Sequence, residues 1–130
     1  MILADTTFLI DLLNGRRNAI ELVKKLKGYK IVTSSINVFE VMLGLNLMKV
    51  KSEERIEKFM NLINNLDILP FDFECCDISS KITSNLIKTG EKIDDLDGLI
   101  AGIMLNNDCF EIVTNDTHFS RIKGIKAIKY

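Results

Sequence analysis

Four acidic residues are spaced along the chain so that each lies beside a short apolar segment: Asp5, Glu40, Asp97 and Asp116. Carboxylates that are brought close together repel one another, and one of them takes up a proton unless a cation lies among them. Acidic oxygens without histidine or cysteine partners select a hard cation such as Mg²⁺ or Mn²⁺. Such a cation activates water and stabilises an in-line displacement at phosphorus. If the four acids converge, the chemistry that they predict is hydrolysis of a phosphodiester bond.

Two of these acids also have an ordinary local explanation. Asp5 precedes a helical pattern and fits a helix N-cap, which is the simpler interpretation of that residue taken alone. Asp116 follows Asn115 and fits a turn residue. Asp94 and Asp95 precede another helical pattern and are good cap candidates as well. None of these residues establishes a site individually.

Glu40 and Asp97 are harder to explain as solvated surface residues. The neighbours Phe39, Val41 and Met42 predict that Glu40 is largely buried, and a buried glutamate without a partner or a cation is costly. Asp97 lies inside the mostly apolar segment LDGLIAG at positions 96–102. The set of four acids is therefore a stronger signal than any of its members.

Short apolar runs alternate with helical patterns along the chain, and these are the elements that must position the acids. The runs predict five strands, at positions 2–4, 30–33, 67–70, 111–114 and 125–128. Helices are predicted at positions 8–13, 17–27, 35–48, 53–63, 72–88 and 94–107. This alternation predicts a single α/β domain over residues 1–130, with a parallel sheet covered on both faces. Ligands of such sheets bind beyond the carboxyl ends of the strands, which is where Asp5 and Asp116 are expected.

The composition permits a sizeable core and excludes several classes of protein. Of the 130 residues, 47% are hydrophobic and 27% are charged, with 7 Gly and 1 Pro. These values exclude a disordered tail, a collagen-like repeat and a disulfide-rich miniprotein. No apolar run approaches the roughly 20 residues that span a bilayer, and the first residues lack the basic region of a signal peptide. We therefore expect a soluble, cytoplasmic protein with no membrane partner.

The residues that usually serve as nucleophiles form no recognisable motif. The three cysteines, Cys75, Cys76 and Cys109, fit reduced thiols of a cytosolic protein. The adjacent pair lies in a helical pattern and is expected to belong to the core. The only histidine, His118, has no Ser or Cys partner and is expected to pack beside Phe119 in a turn.

The charge balance at first argues against a nucleic-acid substrate, because the chain has 17 Lys and Arg against 18 Asp and Glu, a net charge of -1. Setting aside the four candidate ligands leaves 14 acidic residues against 17 basic ones. The basic residues form an early and a late cluster: Arg16, Arg17, Lys24, Lys25 and Lys27, then Arg121, Lys123, Lys126 and Lys129. A solvated surface is the ordinary explanation of both clusters. Around a neutralised metal site they would also be able to hold phosphates.

Four segments together resemble the motifs of PIN-domain proteins. DTTFLI at positions 5–10 is similar to the opening motif, an apolar strand followed by Asp-Thr/Ser-x-x-Leu-Ile, and EVMLG at 40–44 is similar to Glu-x-x-x-Gly. IDDLDGLIA at 93–101 resembles the Asp-x-Leu-Ile-Ala segment, and VTNDTHF at 113–119 resembles the closing Thr-x-Asp-x-x-Phe. The order and spacing match over nearly the whole chain. The size and the third segment look most like VapC toxins of type II toxin–antitoxin systems.

This resemblance implies a PIN-like three-layer α/β/α fold and a Mg²⁺-dependent endoribonuclease, with Mn²⁺ as a possible substitute. Its metal ligands and catalytic acids would be the four residues named at the outset: Asp5, Glu40, Asp97 and Asp116. Thr6 and Thr114 match positions whose hydroxyl groups orient water or carboxylates. The resemblance also implies an RNA substrate, a homodimer and a cognate VapB-like antitoxin that covers the crevice.

Two alternatives share the fold but not the biological role. One is a PIN-fold binding or assembly module without useful catalysis, and the presence of all four acids argues against it. The other is a PIN nuclease of RNA processing outside a toxin–antitoxin system.

Overall fold

The computed structural model describes residues 1–130 and contains five strands, six α-helices and one 3₁₀ helix. The boundaries agree with the predicted elements to within a few residues, since periodicity and capping residues are local signals. In chain order the elements are β1 (Ile2–Ala4), α1 (Thr6–Leu13), α2 (Arg17–Lys25), β2 (Ile31–Ser34), α3 (Ser35–Leu47), α4 (Glu53–Ile63), β3 (Asp67–Leu69), α5 (Phe73–Lys88), α6 (Asp95–Asn106), β4 (Glu111–Val113), the 3₁₀ helix (His118–Arg121) and β5 (Lys126–Ile128).

The five strands form one sheet in the order β3-β2-β1-β4-β5, and every neighbouring pair is parallel. The central strand β1 pairs with β2 on one side and with β4 on the other, so that Leu3 lies opposite Val32 and Ile112. Because all five strands run the same way, their carboxyl ends share one edge. The predicted parallel sheet is confirmed, and the residues that follow β1 and β4 are neighbours.

Two apolar cores lie on opposite faces of the sheet, as the period-two alternation of strand side chains requires. Leu3 and Ile112 belong to one core, together with Ile100 and Met104 of α6. Ile2, Ala4 and Val113 belong to the other, together with residues of α1, α3 and α4 such as Phe8, Val41 and Phe59. The fold is therefore a three-layer α/β/α arrangement, as expected.

Side-chain caps fix the starts of α3 and α6, two of the helices that flank the carboxyl edge of the sheet. The Ser34 hydroxyl accepts a hydrogen bond from the Asn37 backbone N–H at the start of α3. Asp94 caps α6 by accepting from the Leu96 N–H at 3.0 Å, which confirms its predicted role. These caps satisfy backbone donors that the first helical turn leaves free.

Helices α5 and α6 approach each other closely because α6 has glycine where the two helices cross. A Cβ atom at Gly98 would overlap the hydroxyl of Thr83. At Gly102 it would overlap the hydroxyl of Ser79 and lie 3.1 Å from the Cys75 carbonyl oxygen. Gly102 is buried, and Ser79 is only 3% exposed. The pair Gly98 and Gly102, one helical turn apart, thus allows the close contact that holds α6 in place.

The adjacent residues Cys75 and Cys76 differ in burial. Cys75 and Cys109 are buried, whereas Cys76 is exposed. The expectation that both members of the adjacent pair belong to the core is wrong for Cys76, because consecutive helical residues point about 100° apart. Cys76 lines the largest cavity, about 420 Å³, which lies beside α5 and α6.

None of the helices is both long enough and apolar enough to cross a bilayer.

Candidate active site

Asp5 is the most buried of the candidate acids, with 5% of its surface exposed. It occupies the N-cap position of α1, yet its carboxylate makes no capping hydrogen bond. Instead, one oxygen accepts from the Thr114 hydroxyl at 2.6 Å and the other accepts from the Asn37 side-chain amide at 2.9 Å. The N-cap explanation therefore accounts for the position of the residue but not for its carboxylate. These two donors hold that carboxylate at the edge where β1, β2 and β4 end.

Glu40 projects from α3 toward the start of α1, where the Thr6 hydroxyl donates a hydrogen bond to its Oε1 at 2.8 Å. The prediction that Glu40 is largely buried is wrong. Phe39 and Met42 are 51% and 40% exposed, and Glu40 is itself only half-buried. Of its apolar neighbours along the chain, Phe39 and Met42 are exposed and only Val41 is in the core, so the glutamate lies in a polar crevice and not in the core.

Asp97 lies in the first turn of α6, partly buried, and its main contact is with a residue that the sequence analysis assigned elsewhere. Its Oδ2 is 2.9 Å from Nδ1 of His118. The other oxygen of Asp97 accepts no hydrogen bond within the protein. The capping role at this helix belongs to Asp94, as described above, which leaves the Asp97 carboxylate free to face the crevice.

Asp116 is positioned by two local hydrogen bonds in the segment after β4. Its backbone N–H donates to the Thr114 hydroxyl at 2.9 Å, and its Oδ1 accepts from the His118 backbone N–H at 2.8 Å. The turn expected at Asp116 is present. The Thr114 hydroxyl also donates to Asp5, so this single buried oxygen links Asp5 to Asp116.

His118 is the functional neighbour that sequence reasoning missed. It was expected to pack beside Phe119, but only Phe119 is in the core. The imidazole instead points at the acids, with Nδ1 2.9 Å from Asp97 Oδ2 and 3.5 Å from Asp116 Oδ1. The sequence signal for this contact was that His118 lies two positions after Asp116, since a tight turn there folds position 118 back onto the aspartate.

The electrostatics of the crevice show that the acids act on one another. Burial raises the pKa of Asp5, and the charge of Asp116 adds to this, while hydrogen bonds from Thr114 and Asn37 oppose it. Burial is also the main cause that raises the pKa of Asp97, with repulsion from Asp116 and Asp5 contributing. The pKa of Glu40 is raised by burial, with smaller contributions from Asp5 and Asp97. Hydrogen bonds give the geometry: the Thr114 hydroxyl links Asp5 to Asp116, and His118 contacts both Asp116 and Asp97. Glu40 adjoins them through Thr6, which shares the Asn37 amide with Asp5. The cluster of ligand-type atoms within 4.8 Å of one another contains Asp97, Asp116 and His118 but neither Asp5 nor Glu40.

No lysine or arginine neutralises this crevice, since none forms an ion pair with any of the four carboxylates. The only cationic candidate within 4 Å is the imidazole of His118. Oxygen ligands that are partly desolvated, mutually repelling and without a basic partner fit a divalent cation such as Mg²⁺. The residues in the crevice are thus chemically suited to hold such an ion.

Thr114→Val tests whether the buried hydroxyl organises the crevice. Valine keeps the shape but removes the donor to Asp5 and the acceptor for the Asp116 N–H. We expect a loss of about 1–3 kcal/mol in the free energy of unfolding and a ~10–100-fold weaker affinity for Mn²⁺ measured by calorimetry. Thr7→Val is the matched control, because the exposed Thr7 hydroxyl reaches the same carboxylate only at 3.5 Å. Equal effects of the two substitutions would contradict the assignment.

Comparison with known proteins agrees with this geometry. The model of the PIN domain family matches residues 2–125, whereas a search of curated protein sequences gives no match. Among solved structures, a chain of VapBC2 from Rickettsia felis, bound to a promoter DNA fragment, is similar over 100% of this chain and 99% of that chain, with TM-score 0.89 and 25% identity.

Two further structures share the fold. A chain of DNA-bound VapBC from Salmonella typhimurium matches with TM-score 0.85 and 23% identity, over 98% of this chain and 96% of that one. The sarcin-ricin loop cleaving toxin VapC20 of Mycobacterium tuberculosis matches with TM-score 0.67 and 17% identity, over 93% and 94% of the two chains. Because the family model covers almost the entire length, the chain belongs to the PIN domain family.

Proposed function

We propose that this protein is a Mg²⁺-dependent endoribonuclease, with Mn²⁺ as a possible substitute, and that it acts in the cytoplasm as the toxin of a VapBC-type toxin–antitoxin pair. The observation that carries the proposal is the crevice itself. Four carboxylates without a lysine or arginine partner lie on segments that meet at the carboxyl edge of a parallel sheet, which is where ligands of such sheets bind.

In this proposal Asp5, Glu40, Asp97 and Asp116 are the metal ligands. When bound, the ion would supply a Lewis acid at the scissile phosphate and would acidify water near neutral pH. Thr6 occupies one oxygen of Glu40, and the second oxygen of Glu40 has no partner within the protein. A carboxylate with one oxygen fixed by a hydrogen bond and the other oxygen free is oriented to bind a ligand. Pre-positioned donors of this kind avoid reorganisation of the carboxylates when the cation binds.

A metal-free covalent mechanism has little support among the residues present. Two of the three cysteines are buried, and the pKa of each buried thiol is raised by burial, which disfavours the nucleophilic thiolate. The exposed Cys76 lines a cavity that contains none of the four acids. The chain therefore relies on an activated water and not on a protein nucleophile.

The distribution of basic residues favours an RNA substrate over a small acidic one. Three residues of the early and late basic clusters are already paired with acids: Arg16 with Asp11, Arg17 with Glu21 and Lys126 with Glu111. Arg121 and Lys92 form no ion pair, and the Arg121 guanidinium donates to the Lys92 carbonyl oxygen at 3.1 Å. Both are near the acids in the sequence, with Arg121 following Asp116 and Lys92 preceding α6. Free cations beside an acidic centre are suited to phosphates of the RNA backbone.

The experiment that tests the activity is cleavage of 5′-labelled structured RNA by the protein purified away from any partner. We expect endonucleolytic fragments in the presence of Mg²⁺ or Mn²⁺ and intact RNA in EDTA, because the carboxylates alone repel the phosphate and provide no nucleophile. Cleavage that persists in EDTA would contradict the metal-dependent mechanism. No cleavage under any condition would favour the non-catalytic binding module.

A proteinaceous partner is supported by an apolar surface along α3 and the segment after it. Phe39, Leu43, Leu47 and Val50 are all exposed, with Leu47 and Val50 at 73% and 80%. Contiguous exposed apolar side chains usually mark a protein interface. The similar structures from R. felis and S. typhimurium are VapBC assemblies. We infer a VapB-like antitoxin and a homodimer as partners, to be tested by co-purification with the product of an adjacent short reading frame and by light scattering of the chain alone.

A further inference from the structure

The only histidine of the chain lies against two of the four acids of the crevice. Its Nδ1 is 2.9 Å from Asp97 Oδ2 and 3.5 Å from Asp116 Oδ1. Asp97, Asp116 and His118 each offer one ligand-type atom, and these three atoms all lie within 4.8 Å of one another. The four-acid motif that the sequence matches leaves position 118 unspecified, so this imidazole is a property of the present chain.

These spacings fit three atoms that surround one cation. A near-octahedral ion binds its ligands at about 2.0–2.1 Å, which places neighbouring ligand atoms about 3 Å apart. The 2.9 Å distance from Nδ1 to Asp97 Oδ2 is close to that value, and the 3.5 Å distance to Asp116 Oδ1 exceeds it. The imidazole nitrogen thus has one contact of hydrogen-bond length, to Asp97, and a second, longer approach to Asp116.

The backbone holds the imidazole in this place. The His118 N–H donates to Asp116 Oδ1 at 2.8 Å, and position 118 begins the 3₁₀ helix that follows. The His118 side chain is 37% exposed and that of Asp97 is 13% exposed. The imidazole therefore forms the solvent side of the cluster and the carboxylate of Asp97 forms the inner side.

We propose that His118 is a ligand of the divalent cation through Nδ1, together with Asp97 and Asp116, so that this site has mixed nitrogen and oxygen ligands. The inference rests on the metal site of the proposed function and adds a residue to it. An imidazole favours the later first-row ions over Mg²⁺, which prefers oxygen. The site is consequently more selective for Co²⁺ relative to Mg²⁺ than four carboxylates would make it.

Electron spin-echo spectroscopy of the untagged protein with bound Mn²⁺ tests the nitrogen ligand directly, without RNA. Because the chain has one histidine, any imidazole nitrogen coupling comes from His118. We expect this coupling in the wild type and its loss in His118→Gln. In calorimetry, His118→Gln should weaken Co²⁺ binding about tenfold or more and Mg²⁺ binding by much less. Thr117→Ala is the matched control, since this exposed neighbour makes no side-chain capping bond.

The possible outcomes separate this inference from the proposed function. Bound Mn²⁺ without nitrogen coupling, or an equal loss of Co²⁺ and Mg²⁺ affinity in His118→Gln, would overturn the ligand role. If RNA were still cleaved with Mg²⁺, the proposed function would stand. A wild-type protein that binds neither Mn²⁺ nor Co²⁺ would overturn both. The wild-type spectrum decides the question even if the variant does not fold.

Discussion

Asp97→Asn is expected to reduce Mg²⁺-dependent RNA cleavage by at least about 100-fold, because it removes a charged ligand and not merely a group that supports one. Asparagine has nearly the same shape, so the fold should be retained. Fragment yield over time on labelled RNA measures the activity, and calorimetry with Mn²⁺ measures the affinity. Both should fall together if Asp97 binds the ion.

Asp95→Asn is the matched control for this substitution. Asp95 lies in the same helical turn, is exposed, and forms neither an ion pair nor a side-chain hydrogen bond. We expect wild-type cleavage and a free energy of unfolding within about 0.5 kcal/mol of the wild type. If Asp97→Asn cleaved RNA as well as Asp95→Asn does, Asp97 would have no place among the ligands.

In EDTA, Asp97→Asn is expected to be more stable than the wild type, although it is expected to be less active. The folded protein raises the pKa of Asp97, mainly by burial and then by repulsion from Asp116 and Asp5. Below the ordinary carboxyl pKa of about 4, Asp97 is protonated in both the folded and the unfolded state and does not lower the stability. As pH rises through the folded pKa, the ionised carboxylate increasingly destabilises the folded protein. The Tm of Asp97→Asn should therefore exceed that of the wild type by a margin that grows from pH 4 to 7. A margin independent of pH would show that charge is not the cause.

Gly102→Ala should destabilise the protein by about 1–3 kcal/mol or more, because a Cβ at this position has no room. It would overlap the Ser79 hydroxyl, lie 2.9 Å from Ser79 Cβ, and lie 3.1 Å from the backbone oxygen of Cys75. The backbone oxygen belongs to α5 and moves only if the helix moves. Urea unfolding followed by circular dichroism measures the loss, and the accompanying shift of α6 should also weaken Mn²⁺ binding through Asp97.

Gly44→Ala supplies the contrast, since Gly44 is also helical but has no atom within 4 Å of the added Cβ. It should stabilise the protein by about 0.5–1 kcal/mol, because alanine is the better helix former. Adding Ser79→Ala to Gly102→Ala should recover part of the loss by removing the overlapping hydroxyl. Equal stabilities of the Gly44 and Gly102 variants would mean that the α5–α6 contact is not tight.

Much of the fold was predictable because its signals are local. Strands such as β1 and β4 are short apolar runs with turn residues behind them, and Asp94 is an N-cap three residues before the Asp97 that it leaves free. The parallel sheet follows from the alternation of strands and helices. The strand order is a finding of the structure, and it places the segments after β1 and β4 side by side.

The environment of each acid was not predictable, because it depends on contacts between distant parts of the chain. Glu40 was expected to be largely buried from its apolar neighbours, yet its environment is set by Thr6, which is 34 positions away. His118 was assigned to packing, and its contact with Asp97 spans 21 positions. Sequence spacing predicts which residues share one face of a helix. Only the tertiary structure shows which residues that face contacts.

The pairing of β1 with β4 has a consequence for the order in which activity can arise during synthesis. Asp5 emerges among the first residues, but the Thr114 hydroxyl that holds it lies 109 positions later. Contacts of such long sequence separation form late and slowly compared with local helices. A nascent chain that has not yet released β4 and the following turn therefore has no assembled crevice, and a truncated chain of that kind is expected to be harmless to the RNA around it.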